Sequence, residues 1–496
     1  MNLAHCIDGH DGQRVALISR GHPVTYAALR EQVAALRGGL VELGLRKGEP
    51  VALLCGNSTF FVVCYLAVIG LGAVVVPLNP ASPAPELQRE LHAAGAVAVV
   101  VEPMAAGAFA AVDRAAVPVL RHVIVTDGQE WQGSVAISRL SRSGPVAATE
   151  VEPDDLAVLA FTSGTAGMPR AAMLTHGNLT ANIAQSLDSP VHVEPDDIVY
   201  GTLPLHHIFG LNVVLGITLT VGGAVVLVQR FDPATALETI VERGVTVIPG
   251  APPMWLAWSH FDQAPTDAFA KVRIALTGAS KMPEEALVRL RDRFGLVVSE
   301  GYGLTEASPV VTTSAGLAFR PGSVGKALNG VNVRLVDECG DDTVHGDPGE
   351  IWVKGPNVFA GYLDDPGATA RALTPDGWLR TGDVGYADDE GYLYLVDRLK
   401  DLIIVSGFNV YPAEVEEILL EHPGIAEAAV VGVPHPHTGE AVKAYVVCRP
   451  GVHLDEDAVI EHCTEQLARY KAPSKVMIVD ELPKGFGGKL LRRNLN

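Results

Sequence analysis

A chain of 496 residues, 48% hydrophobic and 19% charged, is too long for one ordinary core and too apolar to stay unfolded, so two or more packed domains are expected. Its formal net charge of −20 at pH 7 argues against nucleic acid or an anionic membrane as the main partner; an anionic nucleotide would need local cations. Six cysteines include no Cys-x-x-Cys pair, which speaks against a zinc knuckle or a disulfide framework and for reduced, cytoplasmic thiols.

Met1-Asn-Leu-Ala-His-Cys-Ile-Asp has no basic region followed by an apolar core, so no signal peptide is expected there. Leu29, Val33, Leu36, Leu40 and Leu43 recur at helical spacing behind Thr25, a natural N-cap. Strands are expected at Val51–Leu54, 73–76 and 97–101, with helices between them. Two uncharged stretches, Phe60 to Val76 and Ile208 to Val228, are interrupted by Gly70-Leu-Gly72 and Gly222-Gly223. Each therefore reads as a buried helix, a tight turn and a buried strand, not as a membrane span. The alternation implies a layered α/β domain with largely parallel strands. Nothing before residue 150 carries obvious chemistry.

The next stretch does. Phe161-Thr-Ser-Gly-Thr-Ala-Gly-Met-Pro-Arg170 follows the apolar run Leu156–Ala160. Gly164 and Gly167 free backbone N–H groups to turn towards an anion, Thr162, Ser163 and Thr165 add hydroxyls, and Arg170 adds permanent charge. It is not a Walker loop, because Met168-Pro169 follows the second glycine where that motif has Lys-Ser/Thr opening a helix. On its residues alone the stretch fits either a phosphate-gripping loop or an ordinary surface turn.

Together with Leu174-Thr-His176, this loop resembles the signature of the adenylate-forming superfamily: acyl-CoA synthetases, peptide-synthetase adenylation domains and firefly luciferase. Further motifs extend the resemblance in order to Lys489, over nearly the whole chain. It implies a large N-terminal domain of stacked α/β layers, expected at 1–397, and a small mobile C-terminal α+β domain at 398–496, joined by a hinge. Two departures sit in the loop: the usual second Thr is Ala166, and the usual Lys-Gly is Arg170-Ala171, which keeps the charge but changes the donor geometry.

Downstream, Gly201-Thr-Leu-Pro-Leu-His-His-Ile-Phe-Gly210 places two histidines ahead of an apolar helix; turn histidines are common, but the resemblance sets His207 beside the carboxylate being activated, with Phe209 and Gly210 leading into the acyl pocket. Strands at 245–249 and 274–280 end in small residues, and Gly278 and Ala279 fall on the same pocket, since ligands of open α/β sheets sit at strand carboxyl ends. Glu300-Gly-Tyr-Gly-Leu-Thr-Glu306 is a poor dinucleotide fingerprint, with Glu306 where a third glycine would stand. Glu306 alone fits a helix start; by resemblance Glu300, Gly301 and Tyr302 line the nucleotide site with Tyr302 on adenine, Thr305 reaches phosphate and Glu306 holds Mg²⁺. Asp383 of Trp378-Leu-Arg-Thr-Gly-Asp resembles the carboxylate that accepts both ribose hydroxyls.

A hairpin is expected at 388–396, then the interdomain segment, in which the resemblance puts Arg398 on ribose or phosphate, Lys400 at the hinge and Ser406-Gly407 facing a thiol acceptor. Helices at 412–422 and 455–469 and strands at 428–433, 441–447 and 475–479 should form the small domain. In its first helix Val415, Ile418 and Leu419 are expected inward, and Glu414, Glu416, Glu417 and Glu421 outward. The basic tail reads as a solvated end or, by resemblance, as the last signature, with Lys489 as the adenylation lysine.

The reaction so implied joins a carboxylate to AMP from ATP, with Arg170, Thr165, Mg²⁺ on Glu306 and Lys489 around the phosphoryl charge, and then passes the acyl group to the thiol of coenzyme A. No Arg or Lys in His207–Asn212 or 277–279 would pair a second carboxylate, so the acid is expected to be apolar, and a fatty acid is the first reading. Three alternatives stand: transfer to the pantetheine of an acyl carrier protein, a luciferase-like oxygenase, and a degenerate nucleotide-binding homologue.

Overall fold

The computed structural model describes all residues except 130, 132, 163–169, 280–281, 338–339, 345, 399–402, 411, 484–494 and 496, and the side chains of 396–398, 409 and 413. Thr25 caps the helix Tyr26–Glu42 by accepting from the Ala28 amide at 3.2 Å, an interaction typically worth about 1 kcal/mol. The two uncharged stretches fold as expected, Thr59–Gly70 and Val74–Pro77 in one and Phe209–Ile217, Thr218–Val221 and Ala224–Leu227 in the other. No helix of the described residues is long and apolar enough to cross a membrane.

The chain forms an α/β protein with a large N-terminal domain and a small C-terminal one. Among the described residues the large domain has two sheets. In the first, Pro50–Leu54 lies parallel between Val74–Pro77 and Ala98–Val101, and the sheet ends with Leu156–Thr162 paired antiparallel to Arg170–Thr175. In the second, the parallel run Ala224–Leu227, Ile198–Gly201, Val247–Gly250, Ile274–Thr277 and Val298–Gly303 passes into antiparallel strands from Val310–Thr313 onward. One apolar core packs against both sheets. The parallel strands are buried on both faces, which is why they read as continuous runs of Val, Ile and Leu. At 388–396 the hairpin is wider than expected: Leu379–Ala387 pairs with Leu393–Arg398, and Asp388–Tyr392 is the turn between them.

The small domain has its own sheet, in which Ile403–Val405 and Ile425–His435 flank Gly439–Cys448 and Lys475–Ile478 adds a parallel strand. Its helix Pro412–Glu421 corrects one expectation. Val415, Ile418 and Leu419 are buried, but so is Glu414, whose Oε1 accepts from Lys471 Nζ at 2.9 Å. The helical period assigned Glu414 to solvent because the partner that shields it lies 57 residues away.

Candidate active site

The carboxyl ends of the parallel strands open onto a cavity of about 360 Å³. One flank is polar. Tyr302 Oη donates to Asp383 Oδ2 at 2.7 Å, and Asp383 is held by its strand, its own amide donating to Thr381 Oγ1 at 3.1 Å. Thr305 opens the single turn Thr305–Ala307, and Glu306, almost fully buried, accepts from Tyr362 Oη at 2.7 Å. Arg170 begins the strand Arg170–Thr175 and reaches Asp365 Oδ2 through Nε at 3.1 Å. Arg371 and Arg380 add two more cations to the wall, so this acidic protein concentrates guanidinium groups where an anion would sit.

The other flank is apolar. Phe209 and Val213, on the π-helix Phe209–Ile217, face Leu276 and Val310 across the cavity. Gly278 stands against the Phe209 ring, where an added Cβ would meet the ring at 3.3 Å. His207 lines the same flank, and burial lowers its pKa to about 4; burial and then its neighbour His207 lower that of His206 to about 3. Both imidazoles are therefore neutral at pH 7.

The small domain closes the cavity. Gly407 lies on its wall with φ +84°, and a Cβ there would come within 3.2 Å of the Ala279 Cβ. Its neighbour Phe408 packs edge-on to His207 at 5.9 Å and stacks on Tyr470 at 4.5 Å, measured between ring centroids.

Thus Thr162, Arg170, His207, Phe209, Gly278, Ala279, Gly301, Tyr302, Thr305, Glu306, Asp383 and Gly407 come together from segments far apart in sequence. Three expected residues do not line the cavity. Glu300 is buried with Oε1 accepting from the Gly322 amide at 3.1 Å, and so is engaged within the fold. Gly210 faces the Pro204 carbonyl, and a Cβ there would stand 2.1 Å from that oxygen, so a glycine is needed for backbone approach. Ser406 donates its amide to the Thr438 carbonyl at 2.8 Å. Ser163, Gly164, Thr165, Ala166, Gly167, Lys400 and Lys489 lie outside the described residues, as does the Arg398 side chain.

Tyr362, Asp365, Arg371 and Arg380 were missed by sequence reasoning. Arg380 lies inside the quoted motif Trp378–Asp383 and could have been found there; for the others only the fold brings Tyr362 to Glu306, Asp365 to Arg170 and Arg371 to the cavity wall. No group of three His, Cys, Asp or Glu able to hold a metal occurs among the described residues. A Mg²⁺ held by Glu306 would take further contacts from phosphate oxygens, the usual manner of that ion.

The model of the AMP-binding enzyme family matches residues 4–363, and that of the AMP-binding enzyme C-terminal domain matches 414–489. The chain belongs to this adenylate-forming family. Its cofactors are accordingly ATP, Mg²⁺ and CoA, and acyl-adenylate formation followed by CoA thioester synthesis is the general reaction that membership supports. 4-Coumarate–CoA ligase 1 of Oryza sativa subsp. japonica is 35% identical over 501 residues, covering 96% of this chain and 87% of that one. The 4-coumarate–CoA ligase of Pinus taeda is 36% identical, covering 92% and 86%. Among solved structures, the amide bond synthetase of Marinactinospora thermotolerans superposes with a TM-score of 0.88 at 32% identity, covering 100% of this chain and 99% of that one. A double mutant of o-succinylbenzoate CoA synthetase from Bacillus subtilis, bound to its product analogue, gives 0.87 at 30% identity, covering 100% and 98%. ATP-bound MatB from Rhodopseudomonas palustris gives 0.75 at 33% identity, covering 100% and 98%.

Proposed function

We propose that this protein is an AMP-forming acid–CoA ligase whose acid is aromatic and apolar. The carboxylate displaces pyrophosphate from the α-phosphorus of ATP, and the thiol of coenzyme A then displaces AMP from the acyl adenylate. The observation that most supports this reading is the division of one cavity into a polar flank bearing Arg170, Thr305, Glu306 and Asp383 and an apolar flank bearing Phe209, Val213 and Val310. The junction of the two flanks is where an acid and an α-phosphate would meet.

In this reading Asp383 exchanges its Tyr302 bond for ribose hydroxyls, Thr305 and Arg170 hold phosphate, and neutral His207 packs beside the carboxylate without competing as a cation. Domains of 1–397 and 398–496 would turn about Lys400, so that Lys489 serves adenylation and Gly407 serves the thiol. The fatty-acid reading finds no support, because the relatives above are named for 4-coumarate and o-succinylbenzoate. A flat ring fits an apolar slot bounded by Phe209 and Gly278.

The test is to incubate the protein with ATP, Mg²⁺ and either cinnamic, benzoic or dodecanoic acid, with CoA or a pantetheinylated carrier protein as acceptor, and to weigh the products. Cinnamoyl- or benzoyl-CoA as the main product is expected. Dodecanoyl-CoA, or an acylated carrier alone, would overturn the reading. At the residue level, Lys489→Ala should abolish adenylate formation and spare thioester formation from supplied acyl adenylate; equal losses in both would sink that assignment.

A further inference from the structure

Behind the apolar flank lies a second cavity of about 70 Å³. That is several times the 10–15 Å³ that one water needs when measured the same way. Four residues, Val213, Leu276, Val310 and Thr313, line both spaces and so stand between them. The second space continues the first in depth. On the strand Ile274–Thr277, Leu276 faces both cavities and Ile274, two residues back on the same face, lines only the deeper one. On the π-helix, Val213 faces both, and Ile217, about one turn further, lines only the deeper one.

We propose that the deeper cavity is the distal part of the acid site and receives a short apolar substituent on the far end of the ring, so that the substrate class is a para-alkyl-type aromatic acid. This rests on the activity proposed above and names its substrate more finely. A cavity lined mainly by Val, Ile and Leu stays dry, and its lining lacks contact partners on the empty side. An alkyl group supplies those contacts, whereas a hydroxyl would lose its hydration for little return. Val213 and Leu276 stand between the two spaces, and a substituent passes them by shifts of their rotamers.

The experiment compares kcat/KM for cinnamic, 4-methyl-, 4-ethyl-, 4-propyl- and 4-hydroxycinnamic acid, read as pyrophosphate release at saturating ATP. The parent should gain about fourfold per added carbon until the cavity is full, the fold-change that about 0.8 kcal/mol per buried CH₂ gives at 1.36 kcal/mol per factor of ten. The 4-hydroxy acid should fall below the 4-methyl acid. Ala315→Leu, which fills the deeper space from a residue that lines it and not the first cavity, should remove the gain relative to cinnamic acid in the same protein. Ile217→Phe is the second filling variant should the first not fold, and Val213→Ala should move the optimum to a longer group. Identical substituent profiles in the parent and a folded filling variant would overturn the proposal and leave the ligase activity standing. A parent profile that falls from cinnamic acid onward would do the same. Pyrophosphate release with none of the acids would overturn the aromatic-acid reading and this inference with it.

Discussion

Lys471 Nζ stands 2.6 Å from Glu86 Oε1, an ion pair that joins the small domain to the helix Ala84–Ala93 of the large one. Both residues are almost withdrawn from water, with 6% and 4% of their surface exposed. Glu86 Oε2 also accepts from the Ala468 amide at 2.7 Å, and Lys471 also donates to Glu414. Glu414 travels with Lys471 in the small domain and Glu86 does not. Glu86→Gln therefore weakens this docked arrangement and leaves the small domain's internal pair intact. Loss of a charged hydrogen bond is worth about 1.5–3 kcal/mol. Thioester formation from supplied acyl adenylate should fall about ten- to hundredfold, with adenylate formation little changed; equal effects on both half-reactions would mean that this arrangement does not belong to the thiol step.

Glu90, one helical turn beyond Glu86, has its pKa raised to about 8, first by burial and then by the Glu86 charge, with Glu414 adding to the effect and Lys471 and Arg89 opposing it. Its Oε2 has no hydrogen-bond partner. The folded protein holds this proton more tightly than the unfolded chain does, so the stabilisation is complete below about pH 4.5 and is lost as pH rises through about 8. Glu90→Gln should melt higher than the parent at pH 8.5, and the difference should shrink at pH 6. A constant difference at both pH values would show that Glu90 does not titrate in this window.

Gly407 and Ala279 meet across the domain boundary, both with positive φ, +84° and +72°. Gly407→Val adds the cost of a left-handed side chain, about 1–2 kcal/mol, to a Cβ contact that already stands at 3.2 Å. The docked arrangement should lose at least tenfold in population, read as slower thioester formation from supplied adenylate. Adenylate formation should change much less, and a parent-like thioester rate would remove Gly407 from the acceptor path.

Arg170 is tied to Asp365 and lies on the cavity wall, so its charge is positioned rather than loose. Arg170→Ala should weaken productive ATP use about ten- to hundredfold, the equivalent of about 1.5–3 kcal/mol for a hydrogen bond to a charged group. Ala166→Thr with Arg170→Lys should change it much less, since charge and hydroxyl donors both persist. Pyrophosphate release at subsaturating ATP distinguishes the three proteins, and an Arg170→Ala rate equal to the parent would leave phosphate neutralisation to Lys489 and Mg²⁺.

What the sequence determined by itself is local. Thr25 capping its helix, the glycine-broken apolar runs, the parallel strands of Val and Ile, and the motif residues Tyr302, Thr305, Glu306 and Asp383 were all legible, because periodicity and short motifs are fixed by neighbours along the chain. Glu300 belongs to the same motif, but its carboxylate accepts from the Gly322 amide, a partner 22 residues away that no motif announces. Only the tertiary structure decided that Asp365 holds Arg170, that Tyr362 holds Glu306, and that Glu86 and Glu414 share the buried Lys471. These partners lie 195, 56 and 385 residues apart for Arg170–Asp365, Glu306–Tyr362 and Glu86–Lys471. A charge reads as solvent-facing in sequence because burial costs several kcal/mol unless a partner is present, and the partner is supplied only when distant segments pack.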